Sequence, residues 1–293
     1  MSWLLTGGSG QLATTLAQLL DREGISFVAP SKSELDITQT SSIDKMIDLK
    51  PSLIVNCAAY TAVDKAESEP EAAYSVNATG ARNVASVAKE LKAQLMHIST
   101  DYVFSGESFT PWKVDSPTSP STQYGKSKLA GEEAVQEIYP EGSWILRTAW
   151  LYSPFGKNFV KTMIKKAISE TTELRVVDDQ LGQPTSTFDV AERIIDLKKG
   201  SISPGIYHAT NSGQASRFEF TKEIFQLSGV SKDRITPVSS AEYVTPAKRP
   251  KFSVLDHSRW IEVGMSGLRS WKSALRDVYP SIRTQVEREL RNG

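Results

Sequence analysis

The chain has 293 residues, enough for one large domain or two modest ones with a full hydrophobic core. Its 34 lysines and arginines balance 34 aspartates and glutamates, so the chain as a whole lacks the basic excess expected of a nucleic-acid or acidic-membrane binder. The single cysteine, Cys57, excludes an intrachain disulfide framework and points to a reducing, cytoplasmic setting, and neither a signal peptide nor a bilayer-spanning apolar run can be read.

Trp3-Leu4-Leu5 is a short apolar run that ends in the glycine-rich stretch Thr6-Gly7-Gly8-Ser9-Gly10. Leu12, Leu16, Leu19 and Leu20 then recur at helical spacing, and Gly24 stops that helix. Residues 25–29 read as a second buried strand, 41–49 as a helix closed by Pro51, and 53–55 as a third strand running into Asn56-Cys57-Ala58-Ala59. An alanine-rich helix is expected over 71–92 and a fourth strand over 95–98. The helix carrying Lys128 follows, and then a fifth strand at 144–146. Strands alternating with helices predict an α/β fold, a Rossmann-type doubly wound parallel sheet over residues 1–150 with helices on both faces. Beyond it, 158–169 reads as a helix, Leu174–Val177 as a strand and 189–199 as a helix. A segment near 185–212 is expected to return to the first domain. The rest of 151–293 reads as a smaller α/β substrate domain, with no assignable element over 278–293. Ligands of such sheets bind beyond the strand C-termini, where the motifs below fall.

Gly7, Ser9, Gly10, Gln11 and Leu12 lie between a strand and a helix, with Ala13 at the third glycine position of a dinucleotide-binding pattern. Glycines there permit a tight turn and close approach of a pyrophosphate, and the helix N-terminus adds amide donors and positive dipole. A glycine-rich turn by itself is often only a turn; the flanking strand and helix favour binding. After the second strand, Ala29-Pro30-Ser31-Lys32 offers no acid for a ribose 2′-hydroxyl. Ser31 and Lys32 could instead take a 2′-phosphate, which favours NADPH and leaves NADH open, although Lys32 also reads as a solvated charge. Asp36 and Ile37 read as flanking the adenine, with Asp36 equally readable as a turn or N-cap residue.

Tyr124 and Lys128 are four apart, so a helix puts them on one face. Reducing a ketone needs a proton for its oxygen, and a free tyrosine, with a pKa near ~10, donates poorly at neutral pH. A nearby ammonium lowers that pKa, a role suited to Lys128, which would also hold the nicotinamide ribose. Thr100, at the end of the fourth strand, is placed to donate to the same carbonyl oxygen. A tyrosine four before a lysine also occurs on plain solvated helices; its order after the glycine turn and after Ser99-Thr100 favours catalysis. His97, His208 and His257 form no ligand spacing, so no metal site is read, and His97 reads as a packed strand residue.

Several stretches together resemble the extended short-chain dehydrogenase/reductase superfamily, and within it the dTDP-4-dehydrorhamnose reductases. They are Gly7-Gly8-Ser9-Gly10-Gln11-Leu12, Val63-Asp64-Lys65-Ala66-Glu67, Ser99-Thr100-Asp101-Tyr102-Val103-Phe104, Tyr124-Gly125-Lys126-Ser127-Lys128, Arg147-Thr148-Ala149-Trp150, Asp179-Gln180-Leu181-Gly182-Gln183-Pro184-Thr185, and Arg249-Pro250. The resemblance implies NADPH-dependent reduction of the C4 ketone of dTDP-4-dehydro-L-rhamnose, with Thr100, Tyr124 and Lys128 as the catalytic trio. It implies that Ser9, Gly10, Gln11, Leu12, Asp36, Ile37, Ala58, Ala59 and Tyr60 line the cofactor. It further implies that Thr100, Asp101 and Trp150 touch the sugar nucleotide. Arg249 could pair with the diphosphate through its planar fork, or form a surface ion pair. Phe252 stands where the family tends to carry asparagine. Some members are magnesium-bridged dimers; here magnesium is possible but has no placed ligands, and monomer and homodimer both stay open. Two alternatives remain: another sugar-nucleotide reductase or an NAD-recycling epimerase, and a non-catalytic regulatory subunit like that of methionine adenosyltransferase. The missing acid after the second strand argues against the epimerase, and the presence of the full trio against the regulatory subunit.

Overall fold

The computed structural model describes residues 2–200 and 202–292; Met1, Ser201 and Gly293, which fall inside the expected domain ranges, lie outside the described residues. The first half alternates β1 (Trp3–Thr6), α1 (Gln11–Arg22), β2 (Phe27–Val28), α2 (Thr40–Leu49), β3 (Leu53–Asn56), α3 (Val63–Ser68), α4 (Pro70–Tyr74), α5 (Ala81–Leu91), β4 (Gln94–Thr100), α6 (Gln123–Ile138) and β5 (Ser143–Thr148). The second half adds β6 (Leu151–Tyr152), α7 (Phe159–Ser169), β7 (Leu174–Val177), β8 (Leu181–Gly182), β9 (Thr185–Ser186), α8 (Thr187–Lys199), β10 (Gly205–His208), β11 (Asn211–Ser212), β12 (Ala215–Ser216), α9 (Arg217–Ser228), β13 (Ile235–Val238), α10 (Ser258–Glu262), β14 (Leu268–Ser270) and α11 (Trp271–Asn292).

The central sheet is parallel throughout, in the order β2-β1-β3-β4-β5-β10. From β1 the chain steps outward to β2 on one side, then returns to build β3, β4 and β5 on the other. That reversal opens a crevice at the carboxyl ends of β1 and β3. Strand side chains alternate between two buried layers. Leu5, Val55, Met96 and Leu146 face the layer of α1 and α8, while Leu4, Ile54, Leu95 and Ile145 face the layer of α2, α5 and α6. Burial on both faces is why these strands read as unbroken apolar runs.

Three expectations need correction. The second strand shrinks to the two-residue β2, an edge strand whose Val28 is exposed. The alanine-rich run is not one helix: α4 ends at Tyr74, and a π-helical turn, Ser75–Gly80, precedes α5. In that turn Asn77 accepts from the Tyr60 amide (2.9 Å) and donates to the Tyr60 carbonyl (3.1 Å) and Ser127 Oγ (2.9 Å). Lastly, residues 278–293 do contain an element, because α11 runs through Pro280 to Asn292. Its buried stripe of Leu275, Val278, Ile282 and Val286 has helical spacing and packs with Phe220 and Trp271 of the second lobe.

Within the 185–212 segment, α8 lies against α1, where the Thr15 and Thr187 hydroxyls meet at 2.7 Å, and β10 extends the sheet beside β5. Around Tyr152, Phe220, Trp271 and Tyr279, α7, α9 and α11 form a second core. No helix among the described residues is long and apolar enough to cross a membrane.

Candidate active site

A cleft of about 690 Å³ runs along the carboxyl ends of β1, β3, β4 and β5 and is closed on its far side by the second lobe. Its floor begins at the β1–α1 turn. Gly7 has a φ of +66°, and a Cβ there would stand 2.8 Å from the Ala58 Cα. At Gly8 a Cβ would fall 2.1 Å from the Ala29 carbonyl oxygen. Only glycine fits either place. Gly10 caps α1 with no side-chain bond, so the first-turn amides keep their donors. Along the same floor, Thr148 Oγ1 and Ser99 Oγ are buried without partners. A side-chain-free turn, free helix-terminal amides and unpaired hydroxyls fit an elongated phosphate-bearing cofactor.

Of the residues expected to bind the cofactor, Gly7, Ser9, Gly10, Gln11, Leu12, Lys32, Asp36, Ile37, Ala58, Ala59 and Tyr60 all line this cleft. Ser31 does not. Its hydroxyl donates to the Glu34 carboxylate (2.7 Å), so an acid lies beside the position read as free of acids. The turn at 31–34 folds Glu34 back, which spacing along the chain does not reveal. Lys32, largely exposed, stands 3.9 Å from Asp36, and Asp36 accepts from the Thr38 amide and hydroxyl as a turn residue does. The Gln11 side-chain oxygen accepts from Ser153 Oγ (3.1 Å) and Asn158 Nδ2 (3.0 Å), tying α1 to the second lobe.

Thr100, Tyr124 and Lys128 converge where β4 ends beside α6. Thr122 caps α6 by accepting from the Gly125 amide, and Gly125 is squeezed against the Tyr102 carbonyl, where a Cβ would come within 2.3 Å. That contact seats the first turn of α6 and the Tyr124 phenol against β4. The electrostatics differ from expectation. Lys128 Nζ donates to the Ile98 carbonyl (2.6 Å), and burial pulls the ammonium down to about 8, with Glu132 opposing. Tyr124 is raised above the ordinary tyrosine value rather than lowered. Burial is the main cause; the charge of Asp101 and the neighbouring Tyr102 add to it, and a hydrogen bond with Thr100 opposes it. Thr100 Oγ1 donates to Asp101 Oδ1 (3.0 Å), and burial lifts the Asp101 carboxyl to about 6.

Below the trio lies an ion pair. Glu132, one turn beyond Lys128, receives a two-pronged bond from Arg147 of β5 (Nε 2.9 Å, Nη2 2.7 Å), and both side chains are buried. His97 pairs with Asn56 (3.0 Å), and burial holds it well below the ordinary histidine value, as a neutral packed residue.

On the second-lobe side the backbone of Trp150 has a φ of +45°, a strained value for tryptophan. Gly182 makes room for its indole: a Cβ there would lie 2.6 Å from Trp150 Cε2 and Cζ2. Arg217, which spacing does not single out, lies over the Trp150 ring with Cζ 3.5 Å from the ring centre. Arg249 reaches the cleft but donates to Asp64 Oδ2 (2.6 Å) and Tyr102 Oη (3.3 Å), so its fork is partly used. Among the described residues no group of three or more His, Cys, Asp or Glu side chains could hold a metal ion.

The profile of the RmlD substrate binding domain matches residues 1–284. The dTDP-4-dehydrorhamnose reductase of Streptomyces griseus is 45% identical, over 96% of this chain and 93% of its own. The chain belongs to the dTDP-4-dehydrorhamnose reductase family. A dTDP-4-keto-6-deoxy-D-glucose reductase of Streptomyces niveus is 40% identical over 96% of this chain and 97% of its own. The dTDP-4-dehydrorhamnose reductase of Bacillus anthracis, solved in complex with NADP, superposes with a TM-score of 0.90 at 39% identity, covering 95% of this chain and 98% of that one. The trio, the glycine turn and Trp150 lie in the one cleft of this reductase-family fold.

Proposed function

We propose that this protein reduces the C4 ketone of dTDP-4-dehydro-L-rhamnose to the alcohol of dTDP-L-rhamnose, using NADPH. The observation that carries the reading is one continuous cleft joining the glycine turn to Thr100, Tyr124 and Lys128 and then to Trp150. The reading assigns residues 1–150, with the returning 185–212 segment, to the cofactor, and the remainder of 151–293 to the sugar nucleotide. Gly7, Ser9, Gly10, Gln11 and Leu12 would hold the cofactor pyrophosphate, with Asp36, Ile37, Ala58, Ala59 and Tyr60 along its adenosine half and Lys32 near a 2′-phosphate. NADPH when bound supplies the hydride. NADH remains a second donor to test, because Glu34 shares the turn with Lys32.

Tyr124 Oη gives the proton that the ketone oxygen needs as it becomes an alcohol. Burial keeps it protonated but also makes it a weaker acid than a free tyrosine, so release of the proton has to draw on the charge of Lys128. Thr100 supplies the second donor by exchanging its bond to Asp101 Oδ1 for the ketone oxygen. Lys128 keeps a positive charge behind the tyrosine, favouring the phenolate left when the proton departs. Trp150 offers its indole face to the sugar. Magnesium has no place in this reading. The relative acting on a 4-keto-6-deoxy-D-glucose nucleotide, 40% identical, supports a second reading with a dTDP-4-keto-6-deoxyhexose of another configuration. NADPH oxidation with each sugar nucleotide, beside NADH and Tyr124→Phe, tests both. Wild-type turnover with the rhamnose precursor, lost in the variant while NADPH binding persists, is expected. Full turnover by Tyr124→Phe would refute the proton assignment.

A further inference from the structure

We infer that Arg217 is the residue that anchors the diphosphate of the nucleotide-sugar substrate, an inference that rests on the reductase reading above. Arg217 is the first residue of α9, and its guanidinium lies between the Trp150 ring, 3.5 Å away, and the Phe159 ring, 4.8 Å away. It lines the catalytic cleft and also an adjoining cavity of about 290 Å³ that reaches Gln180 and Ser253. Among the described residues, no carboxylate comes within ion-pair distance of it and none of its N–H groups makes a hydrogen bond. Arg249, which faces the same cavity, is instead neutralised by Asp64 at 2.6 Å.

A guanidinium carries five donors in a rigid plane and does not give up its charge. Holding one half-buried, with Asp101 opposing its charge only from beyond ion-pair distance, costs free energy that a bound anion would recover. Burial indeed pulls Arg217 down to about 10. Contact with two aromatic rings holds the guanidinium in place beside the cleft, and an edge of paired N–H groups matches two phosphate oxygens. The anion must also end beside Trp150, in reach of the cleft that holds Tyr124. A nucleotide diphosphate linked to the reacting sugar meets that condition. Arg249 would then be an auxiliary contact, available only in competition with Asp64.

Calorimetric titration of the full-length protein with dTDP and, separately, thymidine tests the assignment. The wild type should bind dTDP more tightly than thymidine. Arg217→Gln should weaken dTDP about 30-fold, the loss of a charge-assisted pair, and leave thymidine unchanged. In turnover it should raise KM with little change in kcat. Equal weakening of dTDP and thymidine would show that Arg217 merely props Trp150, and wild-type dTDP affinity would show that the diphosphate lies elsewhere; either overturns the inference. A wild type with no preference for dTDP would sink the substrate reading and this inference together, and so is distinguishable from both. Should Arg217→Gln fail to fold, Arg217→Lys carries the test, because it keeps the charge without the planar edge. Undiminished dTDP affinity in that variant overturns the two-pronged contact.

Discussion

Lys128→Met should make the folded protein harder to unfold at neutral pH while removing turnover. The ammonium is 2% exposed, and burial lowers it from 10.5 to about 8. That fall corresponds to about 3 kcal/mol spent keeping the charge inside at pH 7. Methionine has a similar length and no charge, but it leaves the Ile98 carbonyl without its 2.6 Å donor, a loss of about 1–3 kcal/mol. The net gain at pH 7 is therefore about 1 kcal/mol. The pH dependence is the sharper reading. A lysine whose folded pKa is depressed contributes stability that is present above its unfolded value and lost as pH falls through about 8. Between pH 7 and about 10.5 the wild type should thus gain about 3 kcal/mol on the variant, and the order of the two should reverse. Urea unfolding at matched pH values, compared through midpoints at a common slope, measures the difference. A wild-type-minus-variant difference that stays flat across that range would refute the argument, because the buried ammonium would then carry no such cost.

Three further outcomes follow from the same geometry. Asp101 is the mirror case: its carboxyl is raised from 3.8 to about 6, so the stability it contributes is present below pH 4 and lost as pH rises through 6. Asp101→Asn should then be the more stable protein by about 3 kcal/mol at pH 7 and converge with the wild type near pH 4, as read by urea midpoints. Gly182→Ala places a methyl where the Trp150 indole lies; KM for the sugar nucleotide should rise about tenfold or more with NADPH affinity unchanged, as steady-state kinetics beside cofactor titration would show. Glu132→Gln leaves the Arg147 guanidinium buried without its partner charge and should cost about 3–5 kcal/mol by urea unfolding, whereas a loss below 1 kcal/mol would mean that water reaches the pair.

What could be read along the chain was what the chain keeps local. The glycine turn before α1, the Tyr124–Lys128 step on α6 and the apolar strands of the doubly wound sheet depend on neighbours within a turn or a strand. Arg217 has no such neighbours. Its character comes from Trp150 and Phe159, brought against it by the packing of α7 and α9. Glu34 escaped notice because only the fold of the 31–34 turn brings its carboxylate to Ser31. The spacing places Lys128 on the helix face of Tyr124, but its bond to the Ile98 carbonyl follows from where α6 crosses β4. The helix α11 was hidden by Pro280, which breaks the reading of a stripe that is otherwise regular. The π-helical turn at 75–80 leaves no compositional mark in an alanine-rich run, yet it aims Asn77 at Tyr60.

The return of α8 and β10 to the first lobe bears on how this chain could be cut or recombined. A fragment ending at residue 150 would lack the sixth strand of its sheet and the helix that covers Leu12, Leu16 and Leu20 of α1. Grafting a relative's sugar-binding half onto this chain at a single junction would split that layer between two parents. An exchange meant to alter which hexose is accepted needs three joins, one before α7 and one on each side of a retained 185–212 core, so that the layer over α1 stays with one parent.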